Sequence, residues 1–207
     1  MKIKNILTAT VIVGVLAAGS AQAAVVFSSI DNTGGTQSNL TSLSGKAINF
    51  VIGSGTDYTL DNVVLNIGTI NGAAAPVVSI WANETGGTPI AGPNPLETLT
   101  LSGTFTANSL NTFTSTGLSL QADTTYWLVV RGENTSSFAW LGDTDAATVG
   151  TNNNRLFGNG GSTPDTWNSA SGILNAATIN ATAVPEPSSV GLLGLGGLAL
   201  ILRRRRN

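Results

Sequence analysis

The sequence has no cysteine and no histidine in 207 residues. Without cysteine there is no disulfide framework and no thiolate metal site. Without histidine the commonest general base and the imidazole ligand are missing too. Ser-His-Asp, Cys-His and HExxH chemistries are therefore excluded. Charge is scarce, with Asp, Glu, Lys and Arg making up 10% of the chain. No Gly-rich phosphate loop and no basic patch occurs in the body of the sequence, which argues against nucleotides and nucleic acids as partners. No long stretch repeats every 3.6 residues, so the body is not expected to be helical. What is plentiful is glycine, 25 residues, together with Asn, Ser and Thr placed between short apolar runs.

The first 23 residues have the three parts of a secretory leader. Lys2 and Lys4 open it, an apolar run from Ile6 to Ala18 follows, and Ala21-Gln22-Ala23 closes it. The apolar part is shorter than the ~20 residues of a membrane span, and small side chains at Ala21 and Ala23 suit the narrow pockets of a signal peptidase. Cleavage is expected before Ala24, after passage through the Sec translocon.

The other end reads Val184-Pro185-Glu186-Pro187-Ser188-Ser189, then apolar and glycine residues 190–202, then Arg203, Arg204, Arg205, Arg206 and Asn207. Two prolines around Glu186 keep that segment extended and out of any helix interior. At ~1.5 Å per residue, a helix over 190–202 reaches about 20 Å against a ~30 Å hydrocarbon core, so it makes a marginal anchor. Snorkelling arginines help it to fit. Four arginines resist translocation, which keeps the tail cytoplasmic and everything before Pro185 outside. Motif, apolar segment and terminal arginines together resemble the PEP-CTERM sorting signal of exopolysaccharide-producing Gram-negative bacteria. That resemblance implies recognition by an exosortase in the inner membrane and removal of the tail near Pro185-Glu186-Pro187. The chain is then the substrate, delivered to the cell surface or the extracellular matrix.

Between the ends, residues 24–183 alternate apolar and polar over short runs, the pattern of an all-β domain. Strands are expected near 47–52, 58–67, 76–82, 97–100, 111–114, 125–131, 138–141 and 178–182. The economical arrangement is a two-sheet β-sandwich of jelly-roll or Greek-key type, with a short C-terminal transmembrane helix after it. In the run 125–131, Tyr126, Leu128 and Val130 share one face while Trp127 and Val129 make the other apolar as well. That strand is expected to be central and covered on both sides. Residues 142–172, rich in Gly, Asn and Asp, are expected to form a long loop with at most one short strand near Arg155–Phe157.

Several β motifs occur in a recognisable order: Tyr58-Thr59-Leu60, Val63-x-Leu65, Val78-Ser79-Ile80-Trp81, Gly86-Gly87-Thr88-Pro89, Leu96-x-x-Leu99, and Gly117-Leu118-x-Leu120 leading to Thr124-Thr125-Tyr126-Trp127-Leu128-Val129. Over residues 45–145 this order resembles the choice-of-anchor R domain. The resemblance implies export and a β fold; it brings no catalytic residues and no cofactor.

Candidate sites are few. Asp143-Thr144-Asp145 has the oxygens to begin a Ca²⁺ loop, but the full D-x-D-x-D-G pattern is missing, which favours a solvated turn in which Asp caps backbone N–H groups. Asp57 and Asp61 sit too far apart along a strand for a metal or a glycosidase pair. Glu97 is the one carboxylate inside a strand-like run. Four indoles offer sugar-stacking faces: Trp127 and Trp140 read as core, Trp81 lies on a mixed face, and Trp167, in a Pro-Asp-Thr-Trp-Asn loop, is the best candidate for ligand contact. Sequons begin at Asn39, Asn83, Asn134 and Asn180. The formal charge of −2 hides an asymmetry. Residues 24–184 keep only Lys46, Arg131 and Arg155 as cations against ten acids, leaving seven net negative charges. The expectation is a non-enzymatic structural or adhesive protein without a cofactor, with a module that binds exopolysaccharide as the alternative.

Overall fold

In the long strand at residues 58–71, Leu60, Val63, Leu65 and Ile67 are buried, while Asn62, Val64 and Asn66 stay half-exposed. A period near two with a covered side is what folds such a run into a strand. The computed structural model describes residues 21–30, 36–41, 44–72, 74–84, 94–133, 136–143, 147–151, 155–159, 167–169 and 173–185. Among them there is no helix, and so none long and apolar enough to cross a membrane. The expected apolar helix 190–202 and most of the leader lie outside the described residues.

The strands are β1 (Ala23–Ser28), β2 (Thr36–Leu40), β3 (Ser44–Val51), β4 (Tyr58–Asn71), β5 (Val77–Ala82), β6 (Glu97–Thr98), β7 (Thr100–Leu101), β8 (Ser109–Thr114), β9 (Ser119–Leu120), β10 (Thr125–Arg131), β11 (Ser137–Asp143), β12 (Arg155–Asn159), β13 (Trp167–Ser169), β14 (Leu174–Asn175) and β15 (Ala177–Ala183). They form two antiparallel sheets. The larger has nine strands and runs β1-β15-β4-β11-β14, with β8 and β9 also on β4, β7 on β8 and β2 on β11. The smaller has six, in the order β13-β12-β3-β10-β5-β6. Sequence-adjacent strands often lie in different sheets: β3 and β4 do, and so do β6 and β7, which flank the buried Leu99. The single run expected at 97–100 is thus two short strands split by a change of sheet.

The main core lies between the sheets. Ile48, Phe50, Leu128 and Val130 come from the smaller sheet, and Leu60, Val63, Leu65, Phe113, Trp140 and Ile179 from the larger. Phe50 stacks on Tyr126 at 5.8 Å between centroids and tilts against Phe27 at 6.4 Å. A second cluster, Ala47, Trp81, Trp127, Val129 and Leu156, lies on the other face of the smaller sheet. β10 is therefore central and covered on both faces, as its sequence pattern requires.

Registers define two ends of the sandwich. At one, β3 turns into β4 and β9 into β10, tied by Ile52 N to Thr124 O (3.0 Å) and by Ala122 N to the Asp57 carboxylate (2.8 Å). Asp123, in the left-handed region at φ 54°, makes the second turn. At the other end Gly132 N donates to Ser44 O (3.3 Å) and Ala74 N to Ser136 Oγ (3.0 Å).

Within 142–172 the short strand expected near Arg155–Phe157 is present as β12, and two described pieces depart from the expected loop. Gly142 and Asp143 belong to β11, and β12 pairs with β13 as a hairpin edge, Gly158 opposite Trp167. Cross-strand pairing on a covered face overrides the turn-like composition here. Thr144 and Asp145 lie outside the described residues.

Candidate functional site

Two places in the fold gather the residues singled out from the sequence. The first is where both ends of the domain leave it. β1 is an edge strand, and its register on β15 sets Ala23 opposite Thr182 and Ala24 opposite Ala181. One step further out, Ala183 N donates to Gln22 O at 3.0 Å. β15 is held on its other side by β4, with Ala181 opposite Leu60 and Ala183 opposite Tyr58, and Val184 N donates to Asp57 O at 2.8 Å. Pro185 is exposed directly beyond. The expected leader-cleavage residues Ala21, Ala23 and Ala24 are thus brought beside the chain that leads into the sorting motif. Ala21 and Ala23 have exposed side chains and Ala24 is half-exposed; burial begins at Phe27. The structural reason for β1 is its run Ala-Ala-Val-Val-Phe, apolar enough to cap the sheet. The sequence reading missed it because this run continues the apolar leader. Glu186, Pro187, Arg203, Arg204, Arg205 and Arg206 lie outside the described residues.

The second place is the outward face of the smaller sheet. Arg131, Gly45, Gly158 and Trp167 occupy one cross-strand row, and Trp81, Trp127 and Asn49 another. A Cβ on Gly45 would lie 3.1 Å from Arg131 Cγ and 3.6 Å from the Trp167 ring, so glycine is what lets the indole and the arginine stem close over β3. The Arg131 guanidinium carbon stands 5.5 Å from the centre of the Trp81 ring, within cation–π range, and burial draws its pKa below the ordinary value. Trp81 Nε1 donates to Ser79 Oγ (2.8 Å) and Trp127 Nε1 to Asn83 Oδ1 (2.9 Å). Trp127 is fully buried and Trp81 nearly so; Trp167 is half-exposed and opens β13, so it is a strand residue and not the loop residue expected.

Remaining candidates have structural partners. Glu97, on β6, accepts from the Ser115 hydroxyl (2.7 Å), the Thr116 hydroxyl (2.8 Å) and the Thr116 amide. Burial works to raise its pKa, but these bonds and the Leu118 amide outweigh it and hold the carboxyl below its usual range. Asp61 accepts from Thr182 Oγ1 (2.9 Å). Lys46 donates to Ser38 across the sheets, and its pKa is lowered by burial first and by the Arg155 charge second. Asp57, Asp61, Glu84, Glu97 and Asp123 all lie toward the end where β1 begins and β15 finishes, whereas Lys46 and Arg131 lie toward the other. Among the described residues no three acids gather where a metal could be held. Of the sequons, Asn180 uses its amide nitrogen to bond Asn62 Oδ1 (2.8 Å).

Comparison with protein families finds the PEP-CTERM protein-sorting motif over residues 183–206. The match starts on the last residue of β15 and takes in Pro185, Glu186, Pro187 and all four arginines, Arg203 to Arg206. Such a motif implies an exported protein, anchored in a membrane and sorted by an exosortase. No curated protein and no solved structure matches the chain.

Proposed function

We propose that this chain is an exported, non-enzymatic protein of the cell surface or extracellular matrix, with a structural or adhesive role. It passes the Sec translocon, loses residues 1–23 to signal peptidase, and is held in the inner membrane by 190–202 with its arginines in the cytoplasm. An exosortase then removes the tail near Pro185-Glu186-Pro187. The observation that carries the reading is the sorting motif beginning where the last strand of a β domain ends. The order of β motifs over 45–145 supports a domain of the choice-of-anchor R kind. No cofactor enters this role. Changing Glu186 to Ala, or Arg203 to Arg206 to Ser, is expected to leave an unprocessed precursor in membranes, read as intact mass and cell fraction. Normal maturation of both variants would sink the sorting assignment.

Binding of extracellular polysaccharide is the second reading, favoured by Trp167, whose ring comes beside Gly45 on the outward face of the smaller sheet and stays half-exposed. Retention of the domain on isolated matrix polysaccharide should fall at least about tenfold in Trp167→Ala, the loss expected when a stacking ring is removed. It should persist in Thr114→Ala, a remote exposed change. Equal retention in both variants would reject it.

A further inference from the structure

The bond that signal peptidase is expected to cut, Ala23–Ala24, lies inside the ladder between β1 and β15. Gln22, just before it, supplies the carbonyl that accepts from Ala183 N at 3.0 Å. The two ends of the domain are therefore hydrogen-bonded to each other across residues that processing removes on one side and approaches on the other. We propose that removal of the leader uncovers the final residues of β15 and so licenses cleavage at the sorting motif, making the second processing event depend on the first. This rests on the reading of both ends given above.

With residues 1–23 present, Thr182 and Ala183 are flanked on both sides, by Ala23 and Gln22 of the leader and by Thr59 and Tyr58 of β4. Hydrolysis adds water across the Ala23–Ala24 amide, leaving a carboxylate on Ala23 and an ammonium on Ala24. The new chain begins opposite Ala181, and the leader side of Thr182 and Ala183 is empty. A processing enzyme takes its substrate as an extended strand and needs backbone N–H and C=O groups that are not already in a ladder. The match to the sorting motif starts at Ala183 and its Pro185 lies two residues after β15 ends, so an enzyme that grips the motif together with the residues before it meets just this part of the strand. The front of β1 can yield first: Ala23 is exposed and Val25 is 44% exposed, while Phe27 is fully buried and Ser28 bonds Thr178 (3.1 Å). Signal peptidase thus needs only the first residues to peel away, and the strand stays anchored behind them.

The test uses the full chain in its exporting cell. Ala23→Leu, at an exposed side chain, should block leader removal without disturbing the sheet, and the tail is then expected to remain as well. Inserting about six Gly and Ser residues between Val184 and Pro185 moves the motif clear of the ladder, a flexible spacer of roughly 13 Å. In the Ala23→Leu background this spacer should restore tail removal. Tail removal at the wild-type rate in Ala23→Leu overturns the proposal; failure of the spacer to restore it overturns the ladder as its cause. A wild-type chain that keeps its tail would instead contradict the sorting reading itself. Independently, the Ala183 amide should exchange with solvent about tenfold faster in the chain beginning at Ala24 than in the purified full-length chain. Equal exchange also overturns it.

Discussion

Gly142 sits where β11 meets β14, and a Cβ there would lie 2.4 Å from Leu174 O, 2.7 Å from Ile173 Cγ2 and 2.9 Å from Asn175 Cα. Two of those atoms are backbone, so the strands must part to admit a methyl group. Gly142→Ala is expected to destabilise by about 1–3 kcal/mol, read from urea unfolding, whereas Gly53→Ala, with nothing within 4 Å of its Cβ, should not. Glu97 gives a pH prediction. Its folded pKa is depressed, so its contribution is complete above the unfolded value of about 4.3 and is lost as pH falls through the folded one. The gap in urea midpoint between wild type and Glu97→Gln should therefore be present at neutral pH and close under acid; a pH-independent gap would refute the assignment. At this scale the sequence was partly legible. Glu97 stood out as the strand-borne carboxylate, yet the hydroxyls it binds lie 18 and 19 positions away, in a turn that nothing in the local pattern connects to it. Trp167 stood out as an exposed indole, but its place over Gly45 depends on a strand order visible only in the fold.

Among the elements, β10 shows what the sequence does encode. Its bounds, Thr125–Arg131, match the alternation in the chain, and the apolar content of both faces announced a strand with no solvent side. Val129 faces the tryptophan cluster and Val130 the main core, each fully buried. Val129→Ala and Val130→Ala should each cost about 2 kcal/mol in urea unfolding. A loss near zero for Val129→Ala would mean that the outer cluster contributes no packing. Other elements were not legible. β2, Thr-Gln-Ser-Asn-Leu, is polar enough to read as loop and becomes a strand only because β11 offers it an edge. β9 and β14 have two residues each, too few for any period to register.

For the molecule as a whole, Ala21–Val184 forms a compact unit of its own. A chain of residues 24–184, lacking both ends, is expected to unfold in one cooperative transition with the circular dichroism of a β protein; a broad, non-cooperative melt would refute its independence. The six cations of the ends then fall away and an acidic domain remains, which favours solubility. The position of β15 also governs the timing of folding. It fills the larger sheet between β1 and β4, joining residues about 150 positions apart such as Ser28 and Thr178. Contacts of such long range close slowly, because chain entropy must be lost before they form. The strand that completes the sheet is also the last strand of the domain in sequence. The larger sheet thus closes only once the strand that runs into the sorting motif is in place, so folding is finished by the residues that the motif follows.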